Sequence, residues 1–147
     1  MTIEQHQFLA GKCAVITGSG RGIGRGIALA LAAQGCNIAV NYVRKRTEAE
    51  ETAHAIEQLG VRATVIKANV GKEEGVRALV NGAAAQLGGL DIFVGNAASG
   101  VLKPIMEIDA KAWDWSMNIN ARSILLGAQA AAPYMERQGG GRVLAIS

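Results

Sequence analysis

The residues with the most chemistry to offer stand in one run, Thr17-Gly18-Ser19-Gly20-Arg21-Gly22-Ile23-Gly24. A short apolar strand, 13–17, precedes it, and Ile23, Ile27, Leu29, Ala30 and Leu31 recur at helical spacing over 22–34. A strand-to-helix turn brings backbone amides close to an anion when its residues lack a Cβ, and the helix start adds a partial positive charge. The chemistry implied is recognition of a diphosphate. Spacing narrows it further. The phosphate-loop pattern GxxxxGK followed by Ser or Thr matches nowhere, and GxGxxG fails because Ile23 and Ile27 stand where its last glycine belongs. The pattern that fits is TGxxxGxG, on Thr17, Gly18, Gly22 and Gly24.

The other compact group is Arg44-Lys45-Arg46, in a chain whose 15 basic and 12 acidic residues leave a net charge of +3. Three adjacent cations by themselves describe a solvated loop, and so small an excess does not argue for nucleic acid. Cys13 and Cys36 are isolated, with no CxxC and no nearby histidine pair, so neither a disulfide scaffold nor a metal site is expected. His6, in a polar tail, and His54, on an expected helix surface, read as solvent-exposed. The first twelve residues carry Glu4, His6 and two glutamines where a signal peptide needs an apolar stretch. No apolar run approaches the roughly 18 residues of a membrane span, so a reduced, cytoplasmic setting is expected.

These groups need a frame, and periodicity supplies it. Half the residues are hydrophobic and 18% charged, enough for a core, and 147 residues suit one domain. Strands are expected at 13–17, 37–43, 61–68, 90–95 and 142–147, with helices at 22–34, 47–59, 73–87 and about 111–138. Nineteen glycines are a marked excess. Beyond the phosphate turn they serve as helix stops at Gly35, Gly60 and Gly88, and as a break at Gly139-Gly140-Gly141. Thr47 with Glu50 has capping-box spacing, Asp109 reads as an N-cap and Pro133 as a kink. Strict alternation makes the fold class α/β, a doubly wound parallel sheet with helices on both faces, because right-handed crossovers return each strand to one sheet.

TGxxxGxG after a first strand resembles the short-chain dehydrogenase/reductase family, and the likeness runs over nearly the whole chain from Lys12. Asn96-Ala97-Ala98 is similar to that family's Asn-Ala-Gly, with Ala98 departing from glycine. Asn69-Val70 takes the place of its Asp-Val pair at the adenine ring, where an amide oxygen can still accept from the ring amino group. Asn120, seven residues after Trp113, matches the catalytic asparagine that kinks its helix and holds a water in a proton relay; its residue type equally describes a buried amide bridging backbone groups. The resemblance implies a Rossmann-type sheet of five strands in the order 3-2-1-4-5, incomplete for that family, and an NAD- or NADP-dependent oxidoreductase. It places Gly18, Ser19, Arg21, Gly22, Ile23, Gly24, Asn69, Val70, Asn96, Ala97 and Ala98 at the cofactor. In such folds the end of the second strand faces the adenosine ribose, an acid there holding a 2′-hydroxyl and a base a 2′-phosphate. Here no acid precedes Glu48, so NADP(H) is expected, with Arg44 the leading phosphate ligand, Lys45 next and Arg21 a further contact.

The family's proton-donating tyrosine, with its lysine four residues later, has no match. Tyr42 lies in the second strand, and Tyr134 is followed at that spacing by Gln138. Ser147 stands about one residue short of the family's serine. The chain therefore reads as a single NADP-binding domain, 1–147, forming the N-terminal portion of a reductase of about 250 residues. As it stands it is expected to be inactive and to end in an open strand edge. Residues 96–104 and 113–121 look like the NADPH-dependent enoyl-(acyl-carrier-protein) reductase III group of fatty acid synthesis. The 3-oxoacyl-(acyl-carrier-protein) reductases are the alternative, and a non-catalytic dinucleotide-binding module is the competing class. The partners implied are a small-molecule or acyl-carrier-protein-bound substrate and further copies of the chain, as a dimer or tetramer, with no nucleic acid or membrane. Trp113, Trp115, Met117, Ile124, Leu125 and Leu126 would supply that interface, although core packing explains an apolar stripe equally well.

Overall fold

β1 (Cys13–Ile16) is buried along its whole length, as an unbroken apolar strand is at the centre of a sheet covered on both faces. In the computed structural model, which describes residues 7–147, it pairs in parallel with β2 (Asn37–Tyr42) on one side and β4 (Ile92–Gly95) on the other. β3 (Ala63–Lys67) and β5 (Arg142–Ala145) complete an all-parallel sheet of order β3-β2-β1-β4-β5, as expected. The tail reading on Glu4 and His6 falls outside the described residues.

Side chains alternate across the sheet into two cores. Ala14 and Ile16, with Ile38, Val40 and Val94, pack beneath α1 (Gly22–Ala33) and α2 (Arg46–Glu57). Val15 and Phe93 pack on the other face against α3 (Glu73–Leu87) and α5 (Ser123–Arg137), through Val76, Leu79, Val80, Ala130 and Met135. Strand order reverses at β1, which opens the crevice beyond the carboxyl ends of β1 and β4, the switch point at which open α/β sheets bind ligands.

The expected helix stops Gly35, Gly60 and Gly88 all have positive φ, and Asp109 caps α4 (Ala110–Met117) by accepting from Ala112 N at 2.7 Å. The capping box at Thr47 does not form. α2 begins at Arg46, which puts Thr47 inside the first turn, and Glu50 accepts from Arg46 Nε at 2.6 Å, a charge-assisted bond one turn apart. The single helix expected over 111–138 is divided. A π-helical turn, Asn118–Arg122, separates α4 from α5, whereas α5 runs through Pro133. Pro133 and Gln129 are both exposed, so water can take the carbonyl that proline leaves without a donor.

Trp113, Trp115, Met117 and Leu125 are exposed while Leu126 is buried, so the apolar stripe divides between surface and core. β5 is an exposed edge carrying Val143 and Leu144. Among the described residues no helix is long and apolar enough to cross a membrane, and no three potential metal ligands cluster.

Both cysteines are free and buried. Burial, with the neighbouring Cys13, pushes the Cys36 thiol up to about 12 from 9.0, and burial likewise raises Cys13. The folded chain then keeps a proton that the unfolded chain releases, so this group lowers stability as pH rises from about 9 towards about 12 and has no effect below that window. A disulfide reagent at mildly alkaline pH is expected to find neither thiol in the folded chain and both in urea. Rapid reaction of a thiol without denaturant would contradict this burial.

Candidate functional site

The carboxyl ends of β1 to β4 are tied to one another by three polar side chains. Thr17, almost fully buried, accepts at Oγ1 from the backbone N of Asn96 (2.9 Å) and of Ala97 (2.8 Å). Asn96 Nδ2 returns a bond to Thr17 O at 3.0 Å. β1 and β4 are thus clamped across the switch point, with Asn96 and Ala97 steadying the turn and Ala98 exposed beyond them.

The second tie runs through Asn41, 1% exposed near the carboxyl end of β2. Its Oδ1 accepts from Gly18 N at 2.9 Å and its Nδ2 donates to Ala68 O at 3.1 Å, so one amide holds the glycine turn against the end of β3. Its own N donates to Ser19 Oγ at 3.0 Å. Asn41 was absent from the expected site. The available signal was a polar residue in a central strand, which has to be hydrogen-bonded to be there at all.

In the turn itself Gly22 has φ +57, where a side chain would be strained, and nothing lies within 4 Å of the place a Cβ would take. Gly24 is different: a Cβ there would stand 2.5 Å from Gly18 O and 2.6 Å from Asn96 Nδ2. The close approach of α1 to the clamp therefore requires glycine. At the start of α1 the amides of Gly22, Ile23 and Gly24 have no helical acceptor, and Arg21 provides no side-chain cap. Unsatisfied amides at a helix start are donors available to an anion. Ile23 is 70% exposed beside them.

Two of the residues expected at the cofactor have buried side chains. Ser19 is fully buried, donating from Oγ to Ile16 O at 2.7 Å and from N to Asn41 O at 3.1 Å, so it braces the turn from within. Val70 is 3% exposed in the core below α3 and can offer a ligand only its backbone. Asn69 is exposed, and its Oδ1 accepts from Gly71 N at 3.0 Å, which leaves a second lone pair on that oxygen. Asn120 lies in the π turn, where its side chain is committed to backbone groups: Oδ1 accepts from Ser99 N and Nδ2 donates to Ser99 O, each at 2.8 Å. It is exposed rather than buried, and it fastens the loop after β4 to the helix that follows. Tyr134 donates to Asn81 Oδ1 at 2.9 Å, between α5 and α3, and serves helix packing. Ser147 stands exposed two residues past β5.

The basic run follows β2. Arg44 is exposed and makes no ion pair among the described residues, while Lys45 Nζ lies 2.7 Å from Glu48 Oε1 and Arg21 Nε 3.7 Å from Glu48 Oε2. The hydrogen bond from Lys45, with the charges of Lys45 and Arg21, holds the Glu48 carboxyl below its ordinary value. Arg21, Lys45 and Glu48 form one cluster joining the turn to α2.

A glycine turn at the switch point of an all-parallel, doubly wound sheet defines an α/β domain of the Rossmann type. Within that class the chain belongs to the short-chain dehydrogenase family, whose model matches residues 12–147. It is 40% identical over 144 residues to the hydroxynaphthalene reductase-like protein Arp2 of Metarhizium brunneum, covering 98% of this chain and 53% of that one. It is 37% identical over 136 residues to the 3-oxoacyl-(acyl-carrier-protein) reductase FabG of Staphylococcus aureus, covering 92% of this chain and 55% of the relative. A short chain dehydrogenase from Burkholderia cenocepacia, solved in complex with NADP, superposes with a TM-score of 0.83 at 37% identity, over 86% of this chain and 51% of that one. The chain spans about half the length of the curated relatives it matches.

Proposed function

We propose that this chain is the nucleotide-holding portion of an NADP(H)-dependent reductase acting on a carbonyl substrate. The observation that carries the reading is one rim on which the free amides of α1 and the cations Arg21, Arg44 and Lys45 occur together, the first suited to a diphosphate and the second to a 2′-phosphate. The open space at Gly22, where nothing lies within 4 Å of the place a Cβ would take, supports the fit. The bound dinucleotide would supply hydride. The chain's own part is to hold and orient: Thr17, Asn41 and Asn96 keep the turn in shape, Gly22, Ile23 and Gly24 offer donors, and Arg44 and Lys45 face the ribose. Asn69 offers an amide to the base, and Asn120 keeps the loop after β4 in place above the site.

The carbonyl reading stands ahead of the enoyl reading that residues 96–104 suggested, because the acyl-carrier-protein relative named above is a 3-oxoacyl reductase. A 3-oxoacyl group on acyl carrier protein is accordingly the substrate class we favour for the whole protein, in a cytoplasmic setting. The exposed apolar side chains Trp113, Trp115, Met117 and Leu125 are those we assign to pairing with a second copy, since large apolar side chains left in water mark an interaction site.

A fluorescence titration tests the nucleotide reading. NADPH is expected to bind saturably and at least about threefold more tightly than NADH, with the difference shrinking as salt screens the phosphate contacts. No saturable signal with either nucleotide, confirmed by calorimetry, would overturn the proposal.

A further inference from the structure

Of the side chains around the glycine turn, Glu48 is the one that the proposed function does not use. Each of its oxygens faces a different cation, Oε1 at 2.7 Å from Lys45 Nζ and Oε2 at 3.7 Å from Arg21 Nε. Those are two of the three cations assigned to the 2′-phosphate. Packing imposes the arrangement. Ala49 and Thr52, both fully buried, seat α2 against the turn. Thr52 Oγ1 donates to Gly20 O at 2.8 Å, and a Cβ on Gly20 would already stand 3.4 Å from Ala49. With α2 docked there, the side chain one residue before Ala49 has its carboxylate beside Arg21. A carboxylate hydrogen-bonded to the Lys45 ammonium and ion-paired with the Arg21 guanidinium competes for the same cations that a phosphate would take.

We infer that Glu48 is a specificity-determining residue, an internal anion that competes with the 2′-phosphate for Arg21 and Lys45 and leaves Arg44 to discriminate between the two nucleotides. Resting as it does on the nucleotide reading above, this has a definite consequence: the chain prefers a 2′-phosphorylated nucleotide less strongly than three unopposed cations would dictate. A phosphate that binds must displace Glu48 or share its partners, and either costs affinity. A nucleotide without the 2′-phosphate leaves the bridge intact and incurs no such cost.

The test is calorimetric titration of the chain and of Glu48→Gln with 2′,5′-ADP and with 5′-ADP. Removing the carboxylate charge releases Arg21 and Lys45 from their ion pairs, so 2′,5′-ADP is expected to bind about three- to tenfold more tightly to the variant, and 5′-ADP within about twofold of the parent. The gain should shrink between about 0.05 and about 0.5 M salt. Glu48→Asp, which keeps the charge but retracts it from Arg21, should give a smaller gain in the same direction and serves if the glutamine variant folds poorly. Unchanged or weaker 2′,5′-ADP binding in the variant, with the parent binding it, overturns the inference and leaves the nucleotide reading standing. An equal gain for 5′-ADP also overturns it, since the effect would then be general charge. Absence of binding by parent and variant alike overturns both.

Discussion

Arg44→Asp is expected to weaken NADPH binding by at least about tenfold and to leave NADH binding within about twofold, because reversing a charge near a dianion replaces attraction with repulsion while the diphosphate is held elsewhere. The structure singles out Arg44 among the three cations. Lys45 and Arg21 already have Glu48 as a partner, whereas Arg44 makes no ion pair among the described residues, so its planar donors can be committed without first breaking a bond. Two unit charges about 4 Å apart interact by roughly 1 kcal/mol in water and about 4 kcal/mol at the lower effective dielectric of a protein surface, and about 1.4 kcal/mol is already tenfold. A fluorescence titration of parent and variant with both nucleotides reads the split directly. Equal losses for NADPH and NADH would place Arg44 on the diphosphate, or show that the turn had been disturbed, and the assignment to the 2′-phosphate would fail.

Asn41→Leu carries the larger cost in stability. Leucine nearly matches asparagine in shape, so the substitution deletes hydrogen bonds without opening a large cavity. It leaves Gly18 N without its 2.9 Å acceptor and Ala68 O without its 3.1 Å donor, at a place only 1% exposed. One buried and one part-buried group stranded in this way cost about 3 kcal/mol together, at roughly 1–3 kcal/mol each. Urea unfolding should show a lowered midpoint with an unchanged slope. Nucleotide affinity should fall as well, since the turn loses the strut that sets Gly18 against β3. Asn41→Asp is a useful companion: a carboxylate still accepts from Gly18 N but has no proton for Ala68 O, so it should also destabilise the chain. A cost below about 0.5 kcal/mol for Asn41→Leu would mean that water replaces both partners, and the tie would not be what shapes the turn.

Much of this protein was legible from residue order. Apolar runs of four to six residues alternating with helical periodicity led to a parallel sheet, and the order β3-β2-β1-β4-β5 follows the expected one. The reason is that strand and helix periods are local properties, and right-handed crossovers leave few ways to assemble them. The glycine spacing marked the anion turn for the same kind of reason, since positive φ at Gly22 and close approach at Gly24 are demands that a single residue type meets. The helix starts were less legible. At Thr47 two local hydrogen-bonding schemes competed, and the Arg46–Glu50 ion pair with an earlier start prevailed. The division of the long helix at Asn118–Arg122 was invisible to periodicity, because a π turn adds a residue without changing composition.

The sequence by itself determined the class of fold, the turn that can hold a diphosphate and the basic run that follows β2. Each depends on neighbours within a few positions, where spacing carries the physics. Tertiary structure decided how those pieces meet. It turned Ser19 and Val70 inward, committed Asn120 to Ser99, brought Asn41 from β2 onto Gly18, and set Glu48 between Arg21 and Lys45. These outcomes join residues up to 27 positions apart in sequence, as between Asn41 and Ala68. Only the docking of α2 and the parallel register of the strands bring such groups within hydrogen-bonding distance, where burial then decides which side chain must face which partner.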